Sequence, residues 1–517
     1  MTAAVGKNAG DPYQQGLQLA DLGRHAEAIE QFERALKLRP NDSRVLFSLA
    51  RTADAIGHGG AAETFFRRVL DQEPDRVEAL VKLANLMRKG ARTAEIVALM
   101  KPALERNPER AELWLTLGSA LREAGDIATA ETFYREALRL QPGYGAAMGN
   151  LADLLADRGQ VDEALALYDR VLGADAQNAQ ARLNRAVLLL MRGELKKGWR
   201  DYEYRLKIKS RAIVADHGLP AWDGKARERT GLLVTSEQGI GDQIMFASLI
   251  PELQALLAHK GGKVILEAEP RLVPLFARSV PGVAVAAARL QSRGGTAFAR
   301  YDWLKSGHDA QAAIALGSLP RLLRNELAVF PNPHAFLKPD AHESERWTQW
   351  LKAQGPGPFV GLCWRSGNVS GLRAAQYAPL EAWADFVRTS AATPVSLQYD
   401  VQASELETLQ RLSGRAILVP PRLDQKEEID RTAAMIATLD AVVSAPTAVS
   451  WIAAGLGVPT FKILYNNSWT SFGEVYEPFA PSCRCMMPKT SGDWSDAFAQ
   501  TEAALSLLLT SGATRAR

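Results

Sequence analysis

The residues best suited to chemistry stand at the ends of apolar runs. The run 231–237 leads into Glu237-Gln238-Gly239-Ile240-Gly241-Asp242, and a helical stretch over 243–257 follows. Glycines permit backbone angles closed to other residues, so a ligand can come close to the N-terminus of that helix. Asp242, at its start, is either an N-cap or a general base facing a cleft. A second group is Trp364-Arg365-Ser366-Gly367, at the end of the run 359–364. Arg365 offers a fork of donors for phosphate and Ser366 adds a hydroxyl. Arg373, a few residues on, is either a second cation or a solvated surface residue. Gln398 and Tyr399 end the run 395–399, where an amide and an aromatic ring could hold a base or a sugar. Ser444-Ala445-Pro446-Thr447-Ala448 precedes the apolar stretch 449–456. Small residues and a hydroxyl there suit a phosphate or diphosphate, or else a plain helix cap. Several strand ends carrying phosphate-suited groups together favour a nucleotide-type ligand.

The elements that must position these groups read as an α/β pattern. Short β-rich runs at 231–237, 263–268 and 283–287 alternate with helical stretches, and a proline-rich boundary follows at Phe330-Pro331-Asn332-Pro333 and Pro339. A second series runs over 359–364, 395–399, 416–419, 440–444 and 460–465. Strands alternating with helices predict parallel sheets with crossovers, and two series predict two doubly wound halves. In such sheets ligands bind outside the carboxyl ends of the strands.

The first two-fifths of the chain follows another rule. Pro40, Pro74, Pro108 and Pro142 stand 34 residues apart, the period of the tetratricopeptide repeat. Each proline ends one helical hairpin before the next begins. In the same register come Ala28, Ala62, Ala130 and Ala164, then Phe32, Phe66, Tyr134 and Tyr168. Units are predicted to begin near residues 9, 43, 77, 111, 145 and 179. The third has Ile96 and Met100 where the others carry alanine and an aromatic ring, which predicts looser packing there. Stacked repeats leave a concave groove suited to a protein or peptide, the alternative being a spacer or an oligomerisation surface.

Composition sets limits. A net charge of +3 over 517 residues argues against a nucleic-acid footprint. Cys363, Cys483 and Cys485 cannot form a disulfide framework, and Cys483-x-Cys485 lacks nearby partners for a metal. No signal core and no run of about 18 apolar residues is found, so a cytoplasmic protein without a transmembrane segment is expected. Neither a Gly-x-Ser-x-Gly elbow nor a histidine motif points to a nucleophilic hydrolase.

At this point the motifs 237–242, 363–367 (Cys-Trp-Arg-Ser-Gly), 397–399 and 444–449 resemble the signatures of bacterial GT-B glycosyltransferases fused to tetratricopeptide repeats, distant relatives of the lipopolysaccharide heptosyltransferases. The likeness is closest to the repeat-fused flagellin glycosyltransferases of alphaproteobacteria. It implies a repeat solenoid at 9–206 binding a client protein, with flagellin expected, and a linker at 207–230. An acceptor half at 231–335 and a nucleotide-sugar donor half at 345–512 would follow. It implies transfer of a nonulosonic acid such as pseudaminic acid to Ser/Thr hydroxyls, with Asp242 as general base. Glu237, Gln238, Gly239 and Gly241 would line the acceptor side. Arg365, Ser366, Gly367, Ser444, Pro446, Thr447 and Ala448 would hold donor phosphate. Trp364, Gln398 and Tyr399 would meet the nucleotide or sugar, with Arg373 as a second cation. No cofactor or metal is expected; the donor, CMP- or UDP-linked, enters as substrate.

Two departures stand out. The heptosyltransferases carry a histidine soon after the Thr-Ala step, where this chain has Trp451, and the first α/β half is short. The alternatives are an adaptor or assembly protein with a degenerate GT-B module, or a glycosyltransferase acting on surface polysaccharide.

Overall fold

The computed structural model describes residues 11–208, 213–293, 296–306, 310–330, 335–367, 374 and 376–511. The chain forms two compact units, Met1–Leu154 and Leu155–Arg517.

The first unit is a helical solenoid. Its hairpins pair Pro12–Asp21 with His25–Leu38, Ser43–Ala55 with Gly59–Gln72, Val77–Arg88 with Thr93–Arg106, and Ala111–Glu123 with Ile127–Leu140. The register alanines and rings Ala28, Phe32, Ala62, Phe66, Ala130 and Tyr134 are all buried. The first, second and fourth hairpins therefore close through a small residue and a large one at fixed spacing.

The third repeat departs from expectation. Ile96 and Met100 are fully buried, so this repeat is closed and not loose. Branched Ile and unbranched Met fill the space that alanine and a ring occupy elsewhere. Its weak point lies in the turn. The turns between paired helices carry Gly23, Gly57, Gly125, Gly159 and Gly193, all at positive φ, and the third carries Ala91 at φ 54°. A Cβ in that region costs about 1–2 kcal/mol, whereas glycine there adds up to about 1 kcal/mol of chain entropy to the unfolded state. Ala91→Gly is therefore expected to stabilise the solenoid by about 0.5–1 kcal/mol. A higher urea midpoint with an unchanged slope would report this; an unchanged or lower midpoint would show that the strain is relieved elsewhere.

The second unit opens with helices Val161–Ala174, Ala179–Met191 and Leu195–Tyr202, which continue the 34-residue register. Among the described residues twelve short strands follow: β1 (Ile213–Ala215), β2 (Gly231–Thr235), β3 (Lys263–Ala268), β4 (Ala284–Ala287), β5 (Leu290–Arg293), β6 (Thr296–Ala299), β7 (Ala312–Ala315), β8 (Phe359–Cys363), β9 (Thr393–Ser396), β10 (Ala441–Ser444), β11 (Thr460–Ile463) and β12 (Cys483–Met486). One parallel sheet has the order β4-β3-β2-β7 and the other β12-β11-β10-β8-β9. A small sheet β1-β6-β5 joins β1 to β6 in parallel and β5 to β6 antiparallel. β2, β8, β10 and β11 are buried along their whole length, as strands covered on both faces must be, and for that reason they read as unbroken apolar runs.

Several local expectations change. The run 416–419 makes only an isolated bridge, Leu418 to Val395. The helix expected over 243–257 is two helices, Ile240–Ala247 and Ile250–Ala258, the second begun by Pro251 at its first turn. β7 is not legible in the sequence because Ala312-Ala313-Ile314-Ala315 has weak strand propensity; pairing with β2 decides it. Pro331 to Pro333 lie outside the described residues. Among the described residues no helix is long and apolar enough to cross a membrane.

The last repeat hairpin is built into the α/β core. Leu183, Trp199 and Tyr202 belong to the same apolar cluster as Leu232, Phe246 and Trp451. Trp199 donates its indole N–H to the Arg324 carbonyl (2.8 Å) and meets Phe246, Phe472 and Phe479 edge-on.

Candidate functional site

Two helix N-termini meet at a cleft of about 890 Å³ in the second unit. Gly239 caps the helix Ile240–Ala247, with extended backbone at φ −67° and ψ 165°. Asp242 is the third residue of that helix, so its carboxylate is not the cap. Thr447 occupies the cap position of Ala448–Gly455 but makes no side-chain capping bond; its hydroxyl lies 3.3 Å from Ser444 Oγ and 3.5 Å from Cys363 Sγ. A Cβ on Gly241 would stand 3.4 Å from Trp451 and 3.6 Å from the Ala448 Cα. Glycine here lets the two helix ends approach, and both present amide N–H groups and positive dipole ends to the cleft.

Asp242 lines this cleft. Burial pushes its pKa up to about 6; the neighbouring Glu237 carboxylate adds to the rise, and Arg205 and Lys462 partly offset it. A carboxylate of this pKa is ionised at neutral pH yet basic enough to take a proton as a bond forms. Around it lies an ordered shell. Arg205 pairs with Glu237 (2.8 Å) and Glu203 (3.1 Å) and donates to Ser318 Oγ (3.0 Å). Gly317 N–H also donates to Glu237 (3.2 Å). With its amide oxygen turned to Tyr202 and Arg205, Gln238 donates to Asp242 Oδ2 (3.2 Å).

The cleft also holds a cation. Lys462, next to the end of β11, is buried, sits 4.0 Å above the Trp451 ring and pairs with Glu477 (2.6 Å). Burial by itself would lower its pKa, but Glu477, Cys483 and Cys485 hold it above the usual lysine value. Thr470 donates to the same Glu477 oxygen (2.9 Å). Arg271 stands at the rim, tied to Glu269 (2.7 Å) and to the Lys426 carbonyl (2.9 Å).

The structure gathers ten of the sequence-derived residues along this cleft: Glu237, Gln238, Gly239, Gly241, Asp242, Ser366, Tyr399, Pro446, Thr447 and Ala448. Others it places elsewhere. Arg365 is committed to Glu405 through two bonds and to the Asp400 and Ser366 carbonyls; it braces the loop and does not face the cleft as a free phosphate fork. Gln398, almost fully buried, accepts from the Trp364 and Arg365 amides (2.9 and 3.0 Å) and donates to the Arg365 and Tyr399 carbonyls (3.0 and 2.9 Å). Both ends of that amide are used inside the fold, so it cross-links two strand ends. Trp364 packs in the apolar core of the second sheet. Ser444 is wholly buried and bonds the Ala445 carbonyl. Gly367 donates its N–H to Tyr399 Oη (3.3 Å) and so holds that ring. Arg373 lies outside the described residues.

Tyr202, Arg205, Lys462, Trp451, Trp469 and Arg271 face the cleft and carry no assignment to it from sequence. Tyr202 and Arg205 are hidden there because they stand at and just beyond the end of a repeat helix, far in sequence from any strand end. Lys462 lies inside an apolar run, where its charge would be costly without Glu477, and that lone lysine is the signal the sequence offers. Among the described residues no group of three or more His, Cys, Asp or Glu side chains is placed to hold a metal ion.

A family model, the tetratricopeptide repeat, matches residues 19–86 and 121–183. Protein FlbA of Caulobacter vibrioides is 33% identical over 311 residues, 60% of this chain and 52% of FlbA. The probable biofilm formation methyltransferase WspC of Pseudomonas aeruginosa is 39% identical over 70 residues, 14% of this chain and 17% of WspC. The chain thus spans about half the length of the first relative and less of the second. The crystal structure of a thermophilic TPR protein of Thermus thermophilus is 29% identical, covering 35% of this chain and 97% of its own, with a TM-score of 0.31. The first unit is a repeat scaffold of the kind that mediates protein–protein contacts, and the second is an α/β unit with parallel sheets.

Proposed function

We propose that this chain is a protein O-glycosyltransferase of GT-B type, in which the repeats select a client protein and the α/β cleft transfers a sugar to it from a nucleotide-sugar donor. The observation that carries this reading is Asp242, a carboxylate with its pKa near 6 facing a cleft on which two helix N-termini and Lys462 converge. Asp242 takes the proton of a Ser or Thr hydroxyl as its oxygen attacks the anomeric carbon. The bond from that carbon to the phosphate oxygen breaks, and the nucleotide leaves with the electron pair. Backbone amides at Ala448 and Gly241 and the Lys462 ammonium offset the charge that develops on the phosphate. The resemblance in the motifs points to flagellin as client and to a nonulosonic acid as the sugar.

A second reading is favoured by two findings: the family model matches only within the repeats, and Arg365, which the motif assigns to donor phosphate, is spent on Glu405. In that reading the chain is an adaptor and the α/β unit carries no transfer chemistry.

The experiment is to incubate the full chain with unmodified flagellin and CMP- or UDP-linked sugars and record the intact mass of the flagellin. A mass gain equal to one sugar residue, lost with Asp242→Asn, is the expected result. No gain, together with no calorimetric binding of any nucleotide sugar, would leave the adaptor reading standing.

A further inference from the structure

The helix Leu195–Tyr202 is the last of the repeat series, yet its final residue lies in the cleft beside Asp242. Tyr202 is nearly buried, its ring packed against Trp199 and Trp469 at 5.5 Å centroid distance. The Arg205 guanidinium stacks over the same ring at 4.7 Å. These contacts fix where the Tyr202 hydroxyl sits. It lies 2.7 Å from the Gln238 amide oxygen, and Arg205 Nε lies 3.1 Å from that oxygen. Two donors on the oxygen leave the amide nitrogen facing Asp242 Oδ2 at 3.2 Å. The opposite orientation would set an acceptor against the carboxylate and a donor against Arg205.

We propose that Tyr202 is a positioning residue for Asp242, acting through the side-chain amide of Gln238. The proposal rests on the reading of Asp242 as the general base and adds that a repeat hairpin supplies part of its support. Tyr202 fixes Gln238, and Gln238 holds Oδ2, leaving Oδ1 for the incoming hydroxyl. A donated hydrogen bond favours the ionised carboxylate, opposing burial and the Glu237 charge, in the same sense as Arg205 and Lys462. Those three charged groups and Tyr202 all come from elements other than the helix that carries Asp242.

The test uses the full chain labelled with carbon-13 at aspartate carboxyls, the Asp242 signal being assigned by its loss in Asp242→Asn. Tyr202→Phe keeps the ring and removes the hydroxyl; Gln238→Leu keeps bulk and removes the amide. In Gln238→Leu the titration midpoint of Asp242 is expected to rise by about one pH unit. In Tyr202→Phe it should rise less, because Arg205 still holds the amide oxygen. In transfer assays the acidic limb of kcat/KM should move by the same amount while donor KM holds. A Tyr202→Phe midpoint equal to wild type would overturn the proposal and leave Tyr202 a packing residue, as would an unchanged midpoint in Gln238→Leu. If Tyr202→Phe does not fold, an unchanged Gln238→Leu midpoint still overturns the proposal, because Tyr202 acts on Asp242 through that amide. Raised midpoints in a protein that transfers no sugar would support the positioning role and reject the glycosyltransferase reading.

Discussion

Asp242→Asn is expected to lower sugar transfer by about 10²–10⁴-fold, the range supplied by a positioned general base, while binding of donor and client persists. The same change should make the protein more stable at neutral pH. The folded Asp242 has its pKa raised from 3.8 to about 6, chiefly by burial. Between those values the folded state holds a proton that the unfolded chain has released, so stability falls as pH rises from about 4 to about 6 and stays lower above that. Two pH units of difference set an upper bound near 3 kcal/mol. Because the carboxylate is only partly buried and lines an open cleft, about 1–2 kcal/mol is the expected gain from the neutral amide at pH 7. Urea unfolding at pH 7 and pH 4 measures it: the gain should be present at the first and absent at the second. Equal stabilities at pH 7 would mean that Asp242 is not held in a costly state, which removes the main physical ground for assigning it the role of base.

The second large effect concerns Lys462. Lys462→Met leaves Glu477, which is fully buried, without its cation, and breaking one side of a buried pair costs about 3–5 kcal/mol. The urea midpoint should fall accordingly. Adding Glu477→Gln, which removes the stranded charge and keeps an acceptor for Thr470, should recover a large part of the loss. The double variant would then fold well enough to ask a functional question: nucleotide-sugar affinity should still be weaker, because the cleft has lost its buried ammonium. A Lys462→Met protein as stable as wild type would show that Glu477 does not depend on this cation. Unchanged donor affinity in the double variant would remove Lys462 from the phosphate site.

Sequence and structure agree best where a rule is local and repeated. The 34-residue period places helix starts at Ser43, Val77, Ala111, Gly145 and Ala179, because each hairpin buries residues of the same register against the next. Buried parallel strands at β2, β3, β8, β10 and β11 are legible as short, largely apolar β-rich runs. The glycine loop at 237–242 and the turn at 444–448 are also legible, as strand ends leading into helices, and both line the cleft. Arg365 and Gln398 mislead for one reason. A polar side chain at a strand end satisfies a ligand or the fold equally well in sequence, and only the positions of Glu405 and the Trp364 and Arg365 amides show that the fold has taken them.

The sequence by itself determined the repeat register, the alternation of strand and helix, and the two small-residue turns, since each depends on residues within one turn or one hairpin of each other. Tertiary structure alone decided that the last repeat hairpin joins the α/β core, that Tyr202 and Arg205 meet Gln238 beside Asp242, and that Lys462 finds Glu477. Those meetings join residues on separate elements, and no periodicity or spacing records them. They follow from burial: an aromatic cluster around Trp199 pulls the hairpin in, and each charge carried along with it must find a partner before water is excluded.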